Sequence, residues 1–265
     1  MKFKTIFFLF NGIILFSFLF IALMPLFVLG GDYTRIFWEE NWFLALIFLV
    51  FISVLDAYFI INWKMFSLLE KEDWPGLTAW LENEVYEKGR ITSRNIKMMV
   101  NTSLTVSNLD KISRLEKEVS EKKPALLGSN GLQLGIPYLL NQKKEEGREF
   151  YQRCINTASK KNLPWLRWCH SFLLLSAQDM DEAVPHLKDL SRTTGDPVLR
   201  LLSLYLLSSA VKEGDDELEE VKSAFLGNYP DRKSLEKYIA RSKSDNVVVL
   251  LLSSILDDSQ NWIYN

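Results

Sequence analysis

Residues that carry chemistry are scarce in this chain. Of its 265 residues two are cysteine and two are histidine. Cys154 and Cys169 share no metal-type spacing with His170 or His186. Cys169 and His170 are adjacent, so on a helix they would not face each other. Two lone thiols in a helical sequence read as core residues and fit a reducing compartment. P-loop, GxGxxG, GxSxG and HExxH motifs are all missing. Gly128-Ser129-Asn130-Gly131 lacks the lysine and spacing of a phosphate loop and reads as a turn. The acidic pairs Asp215-Asp216 and Asp257-Asp258 fall at expected turns or helix ends, where acids cap or are solvated. The sequence therefore predicts no catalytic, metal or cofactor site, no small-molecule substrate, and a protein that is not an enzyme.

An excess of one charge sign is also missing. The chain has 31 Lys and Arg against 33 Asp and Glu. Only three of the former and four of the latter lie in the first 63 residues, so the remainder is close to neutral. A nucleic-acid binder would normally show a strong basic excess, so nucleic acid is not expected as a partner. No low-complexity tract and no long disordered tail is present. The part after residue 63, about 200 residues, suits one soluble domain with a sizeable core.

Charge itself is absent from Thr5 to Gly31, a run long enough to cross a bilayer, since about 20 apolar residues suffice. Asp32, Arg35, Glu39 and Glu40 mark a short wet segment. From Asn41 to Trp63 the chain is apolar again, interrupted only by Asp56. The expected organisation is a transmembrane hairpin over 1–63 with spans at about 5–29 and 42–63. A juxtamembrane segment, 64–72, and a soluble helical domain, 73–265, follow. A cleaved signal peptide is the rival for the first span, with Val28 and Gly30 as a weak cleavage site, although the apolar run exceeds an ordinary h-region. Lys2 and Lys4 before the first span, and Lys64 and Lys71 after the second, outnumber Arg35 between them. The expected topology is therefore integral, with both termini and the soluble domain cytoplasmic. Tyr33, Phe37, Trp38 and Trp42 would form the outer aromatic belt, Tyr58 and Trp63 the inner one.

Asp56 is the one acid expected inside the membrane, where such groups face partners rather than lipid. It reads as a proton or ion site, as a contact between helices, or as an acid close enough to the interface to reach water. The shortage of other intramembrane polar residues favours the contact. A helix rises about 1.5 Å per residue, which puts Asn11 and Asp56 at similar depth in the cytoplasmic half. The two are expected to hydrogen-bond across the hairpin.

Beyond the membrane, Asp73-Trp74-Pro75 is a helix-start signal, and that helix should end at Gly89. Further helices are expected over 91–104 and 106–119, the second with a Leu109, Ile112, Leu115, Val119 stripe and ended by Pro124. Its basic residues are interleaved with acids and read as a solvated face. From Leu126 the chain repeats. Pro164, Pro197 and Pro230 recur every 33 residues. Phe172-Leu173-Leu174 with Ser176-Ala177 answers Tyr205-Leu206-Leu207 with Ser209-Ala210. Each unit is expected to be a helix hairpin that buries its apolar face only by stacking on its neighbours. Proline should mark each repeat boundary, because it fits a first helical turn and stops the previous helix.

This pattern resembles the tetratricopeptide repeat family over about Leu126 to Arg241. Gln178-Asp179-Met180-Asp181-Glu182-Ala183 looks like the turn and small-residue site of that family's second helix. Glu213-Gly214-Asp215-Asp216-Glu217-Leu218 occupies the same place, with leucine instead of a small residue, and the family's Trp-Leu-Gly pattern is missing. The resemblance implies an all-α chain whose soluble part is an α-solenoid. An irregular helical domain is the alternative. It also implies a function, a membrane-anchored adaptor or scaffold that binds protein partners. The rival function is a non-catalytic subunit of a membrane complex docked through its hairpin. At the end of the chain, Val247 to Leu252 is apolar on every side. It is expected to be a helix packed on the unit beginning at Pro230, with its far side covered by Trp262-Ile263-Tyr264 or by a partner.

Overall fold

The computed structural model describes residues 3–265 except Gln142 and Glu213; the side chains of Phe3, Lys4, Leu29, Asp32, Tyr33 and Asp245 also lie outside it. The expectations resting on Lys2, Lys4, Tyr33 and Glu213 therefore fall outside the described residues. The chain is all-α, with no strand among the described residues. It divides into two compact units, one up to Trp80 and one from Leu81.

The first unit opens with α1, Phe3–Leu29, and α2, Gly31–Ile61. Both are long and apolar enough to cross a membrane, with mean hydropathy of 2.6 and 2.7, and their most apolar windows are 0% buried. The two helices pack as an antiparallel pair. Phe18 stacks on Phe48 at 4.4 Å, and Phe7 meets Phe59 edge-on at 5.7 Å. The turn is a single residue, Gly30, with φ of 83°, a backbone conformation that glycine adopts freely. The segment expected to be a wet loop is instead the first part of α2, which kinks at Asn41 (φ −119°, ψ 18°). An Arg35–Glu39 ion pair one turn apart at 2.9 Å favours helix there. In the turn that Pro25 interrupts, the Ala22 carbonyl accepts the Trp38 indole N–H at 3.2 Å. A short helix, α3 (Trp63–Glu70), follows.

Helix α4, Trp74–Glu82, begins as expected, with Asp73 Oδ1 accepting from the Gly76 N–H at 2.9 Å. It passes into a π-turn, Asn83–Glu87, and stops at Gly89, whose φ is +63°. In the second unit α5, Ser93–Thr105, is capped by Thr92. The following helix, α6, spans Leu109–Lys122 because Asn108 caps it, three residues later than periodicity alone suggests. Ile112, Leu115 and Val119 are fully buried. Residues read as a turn at Gly128 are helical: α7 runs Leu127–Leu134, with the short α8, Ile136–Leu140, after it.

Helices then follow at nearly constant length: α9 (Lys144–Thr157), α10 (Leu163–Ser176), α11 (Met180–Thr193), α12 (Pro197–Ala210), α13 (Asp216–Asn228) and α14 (Arg232–Asp245). Each packs on its predecessor from α10 to α13, and alternate helices also touch, α10 on α12 and α12 on α14. Pro164 is the second residue of α10, Pro197 the first of α12, and Pro230 precedes the Asp231 cap of α14. The Ala183 site is fully buried, and the same position in the next unit holds buried Leu218.

The chain ends with α15, Val247–Leu251, and α16, Ser253–Tyr264. As expected, α15 packs on α14; it also reaches α7. Asp257 and Asp258, expected at a helix end, lie inside α16. The tail does not cover the far side of α15. Trp262 instead meets Tyr205 at 6.1 Å, and the Tyr264 hydroxyl donates to the Tyr229 carbonyl at 3.0 Å. Leu250 and Leu251 keep 54% and 37% of their surface exposed.

Candidate functional site

The residues singled out in the sequence fall in two places. In the helix pair, the Phe7–Phe59 and Phe18–Phe48 contacts set a register in which Asn11 stands level with Leu55 and its neighbour Asp56. Both polar residues are half-buried, and the Asn11 amide nitrogen donates to the Phe7 carbonyl of its own helix at 3.1 Å. In the second unit, Pro164 and Pro197 line the same cavity, while Pro230 is not part of its wall.

That cavity, about 780 Å³, is bordered by the starts of α10 and α12. Trp165, in the first turn of α10, donates its indole N–H to Asp196 Oδ2 at 3.1 Å. The other oxygen of Asp196 caps α12, accepting from the backbone N–H groups of Val198 at 3.0 Å and Leu199 at 3.4 Å. One carboxylate therefore links two consecutive repeat boundaries and is already fully engaged. The wall also includes Lys97 of α5, Gln133 of α7, Tyr238 and Arg241 of α14, and Lys161 before α10. A second cavity of about 480 Å³ shares Lys97 and Gln133 with the first. Its wall is more apolar, with Leu104, Val247, Leu250 and Leu251, and it carries Lys243.

Several charges of the unit form ion pairs between helices. Arg148 of α9 reaches Asp179 at 3.0 Å and Glu182 at 3.4 Å. From α11, Lys188 pairs with Glu217, and Arg192 meets the same carboxylate at 2.7 Å. Lys111 pairs with Glu82 at 2.8 Å. Two acids are buried. Glu84 is held by Lys88 at 2.5 Å and Arg90 at 2.9 Å. Burial alone would raise its carboxyl, but these partners outweigh burial and leave it below the ordinary carboxylate value. Glu116 accepts from the Ser120 hydroxyl at 2.7 Å and the Tyr138 hydroxyl at 3.1 Å. Burial and this neighbouring acid push the Tyr138 phenol up.

Cys154 and Cys169 are buried and free of disulfide, and burial pushes each thiol up to about 12, so the reactive thiolate is suppressed. The buried His170 lies 6.3 Å from His186, and burial lowers its pKa. Among the described residues no group of three or more His, Cys, Asp or Glu side chains could hold a metal. Sequence reasoning did not bring Lys97, Lys161, Arg241 and Lys243 together, because three separate segments supply them: α5, the residues before α10, and α14. The repeat-boundary prolines were the one signal that pointed to this wall.

A family model described as "Uncharacterised Treponema protein" matches residues 111–265, more than half of the chain. The chain is also 26% identical over 234 residues to an uncharacterized protein of Treponema pallidum (strain Nichols), covering 83% of this chain and 74% of that protein. No solved structure matches.

Proposed function

This chain belongs to that Treponema family, and we propose that it is a membrane-anchored adaptor: a two-span hairpin holds a tetratricopeptide-like helical-repeat domain against the cytoplasmic face, where it binds a protein partner. The anchoring half of the reading is supported by α1 and α2. Phe16 is 71% and Phe27 77% exposed, and a soluble protein would bury such side chains in its core. Burying a phenylalanine is worth roughly 1.5–3 kcal/mol, so a bilayer is the natural cover for two helices lined with them. Orientation with both ends cytoplasmic follows the lysine bias already described.

The observation that carries the repeat half is the spacing of side-chain contacts. Arg148 pairs with Asp179, Trp165 with Asp196, and Lys188 with Glu217. Each partner stands about one repeat further along the chain, the signature of stacked equivalent units. We infer a short α-solenoid from this register. Its penultimate helix, α15, returns to α7, so the array curls back on itself instead of running on. Such a repeat array presents a concave surface to a protein partner, and its buried thiols and engaged carboxylates supply no reaction.

A hairpin-docked subunit is the second reading, favoured by Asn11 and Asp56 standing half-buried at one level within the apolar stretches of α1 and α2. One experiment separates the two. The first 63 residues are replaced by an unrelated two-span hairpin, and co-purifying proteins are compared after cross-linking in cells. Retention of the same partner is the adaptor's outcome. Its loss, with the swapped chain still folded and in the membrane, points to the hairpin as the docking element.

A further inference from the structure

We propose that Asp56 marks a docking face for a transmembrane helix of another protein that carries a single lysine or arginine at the same depth. This rests on α1 and α2 spanning a membrane, and it names the chemistry of the partner in the hairpin-docking reading. The first argument is a missing counter-charge. From Thr5 to Gly31 and from Asn41 to Trp63 the chain carries one charged residue, Asp56. Among the described residues no ion pair or hydrogen bond reaches its carboxylate. Asn11 stands level with it, but that side chain is neutral, and its amide nitrogen is spent on the Phe7 carbonyl. Toward the end of α2, Ile60 and Ile61 are 64% and 73% exposed, so the apolar surface continues for a further turn beyond the acid. An acid at such a depth is costly and takes a partner. A second copy of the chain supplies no cation, because the same two stretches hold no lysine or arginine.

The second argument is the space beside that acid. Phe7 and Phe18 of α1 meet Phe59 and Phe48 of α2, which fixes the seam between the helices. A helix turns about 100° per residue, so Asp56 lies about 60° round α2 from Phe59, and Gly12 about 140° round α1 from Phe7. Because the helices run antiparallel, both rotations open on the same side of the pair. There Gly12 has no atom within 4 Å of the position its Cβ would take. Ser53, one turn before Asp56 on that side, is small and exposed. Small residues let a neighbouring helix come close. Open space and an unmatched acid thus share one side of the hairpin, and an apolar helix with one cation would fill both.

The test uses the full chain in phosphatidylcholine vesicles, labelled through Glu40→Cys because both native cysteines are buried. The probe is a synthetic polyleucine span with one lysine about five residues from its end, the depth of Asp56 before Ile61. Association is read by energy transfer. The lysine probe should associate about five- to thirtyfold more tightly than an all-leucine probe, the range for polar contacts between membrane helices. Asp56→Leu and Asp56→Asn should remove that preference, and Asp56→Glu should keep it. Gly12→Leu should weaken it by filling the space. Phe51→Leu, an exposed position on the other side of the pair, should change nothing. The proposal is overturned if the lysine and all-leucine probes associate equally, or if Asp56→Leu and Asp56→Asn bind the lysine probe as the parent does. It is overturned too if a glutamate probe associates as well as the lysine probe. Energy transfer between two copies of the chain that Asp56→Leu abolishes would assign the acid to a self-contact instead, and so contradict it. Failure here is separable from failure of the readings beneath it. A chain that leaves the vesicles in alkaline carbonate refutes the spans and this contact together. A chain that stays but ignores the lysine probe loses only the contact, and the hairpin swap still decides between adaptor and hairpin docking.

Discussion

Gly128 sits in α7 against the end of α9. A methyl group there would stand 2.2 Å from the Thr157 carbonyl oxygen and 2.4 Å from its carbon, and backbone cannot swing aside as a flexible side chain can. Gly128→Ala should therefore cost about 1–3 kcal/mol, the range for overpacking. Gly227, in α13, has no atom within 4 Å of the same built position. There alanine should gain up to about 1 kcal/mol from helix propensity alone. Denaturant midpoints of the two variants in the full chain check this, and equal stability would mean that α7 does not seat on α9. The contrast also marks a limit of reading residues one at a time. Gly128-Ser129-Asn130-Gly131 has the composition of a turn, and only the approach of α9, some thirty positions away, explains why glycine occupies a helix. The cysteines were legible by contrast, because an isolated thiol in an apolar helical run has little else to do than pack.

At the scale of elements, helix starts were the most readable feature. Asp73, Asp196, Asp215 and Asp231 each accept backbone N–H groups at the first turn, and such caps are local chemistry written in consecutive residues. Less legible were the hairpin turn, reduced to Gly30 alone, and the course of α16, which is set by Tyr205 and Tyr229 far back in the chain. The pairing of α1 and α2 carries its own prediction. Its aromatic register sets Asn11 beside Asp56 in level, so Asn11→Leu and Asp56→Leu should couple by about 0.6 kcal/mol in a double-mutant cycle, the average for intramembrane hydrogen bonds. Strictly additive effects on stability in detergent would remove the contact and leave each residue to its own helix, as the Asn11–Phe7 bond already allows.

For the whole molecule, two kinds of surface are divided between two units: an apolar helix pair whose most apolar stretches are unburied, and a polar helical domain with a groove. The first was plain in the sequence because length and hydropathy are additive along the chain. The groove was not, because its wall comes from α5, α7, α14 and the segment before α10, and curvature decides that they meet. Anchoring is tested most directly by thiol labelling, and the protein is well suited to it. Both native cysteines are buried with thiols pushed up to about 12, so an introduced cysteine reports alone. Glu40 and Lys237 are exposed, on α2 and α14. In intact spheroplasts an impermeant maleimide should label Glu40→Cys and leave Lys237→Cys unlabelled until the membrane is broken. Labelling of Lys237→Cys from outside, or a chain that leaves the membrane in alkaline carbonate, would contradict a repeat domain held on the cytoplasmic face by its hairpin.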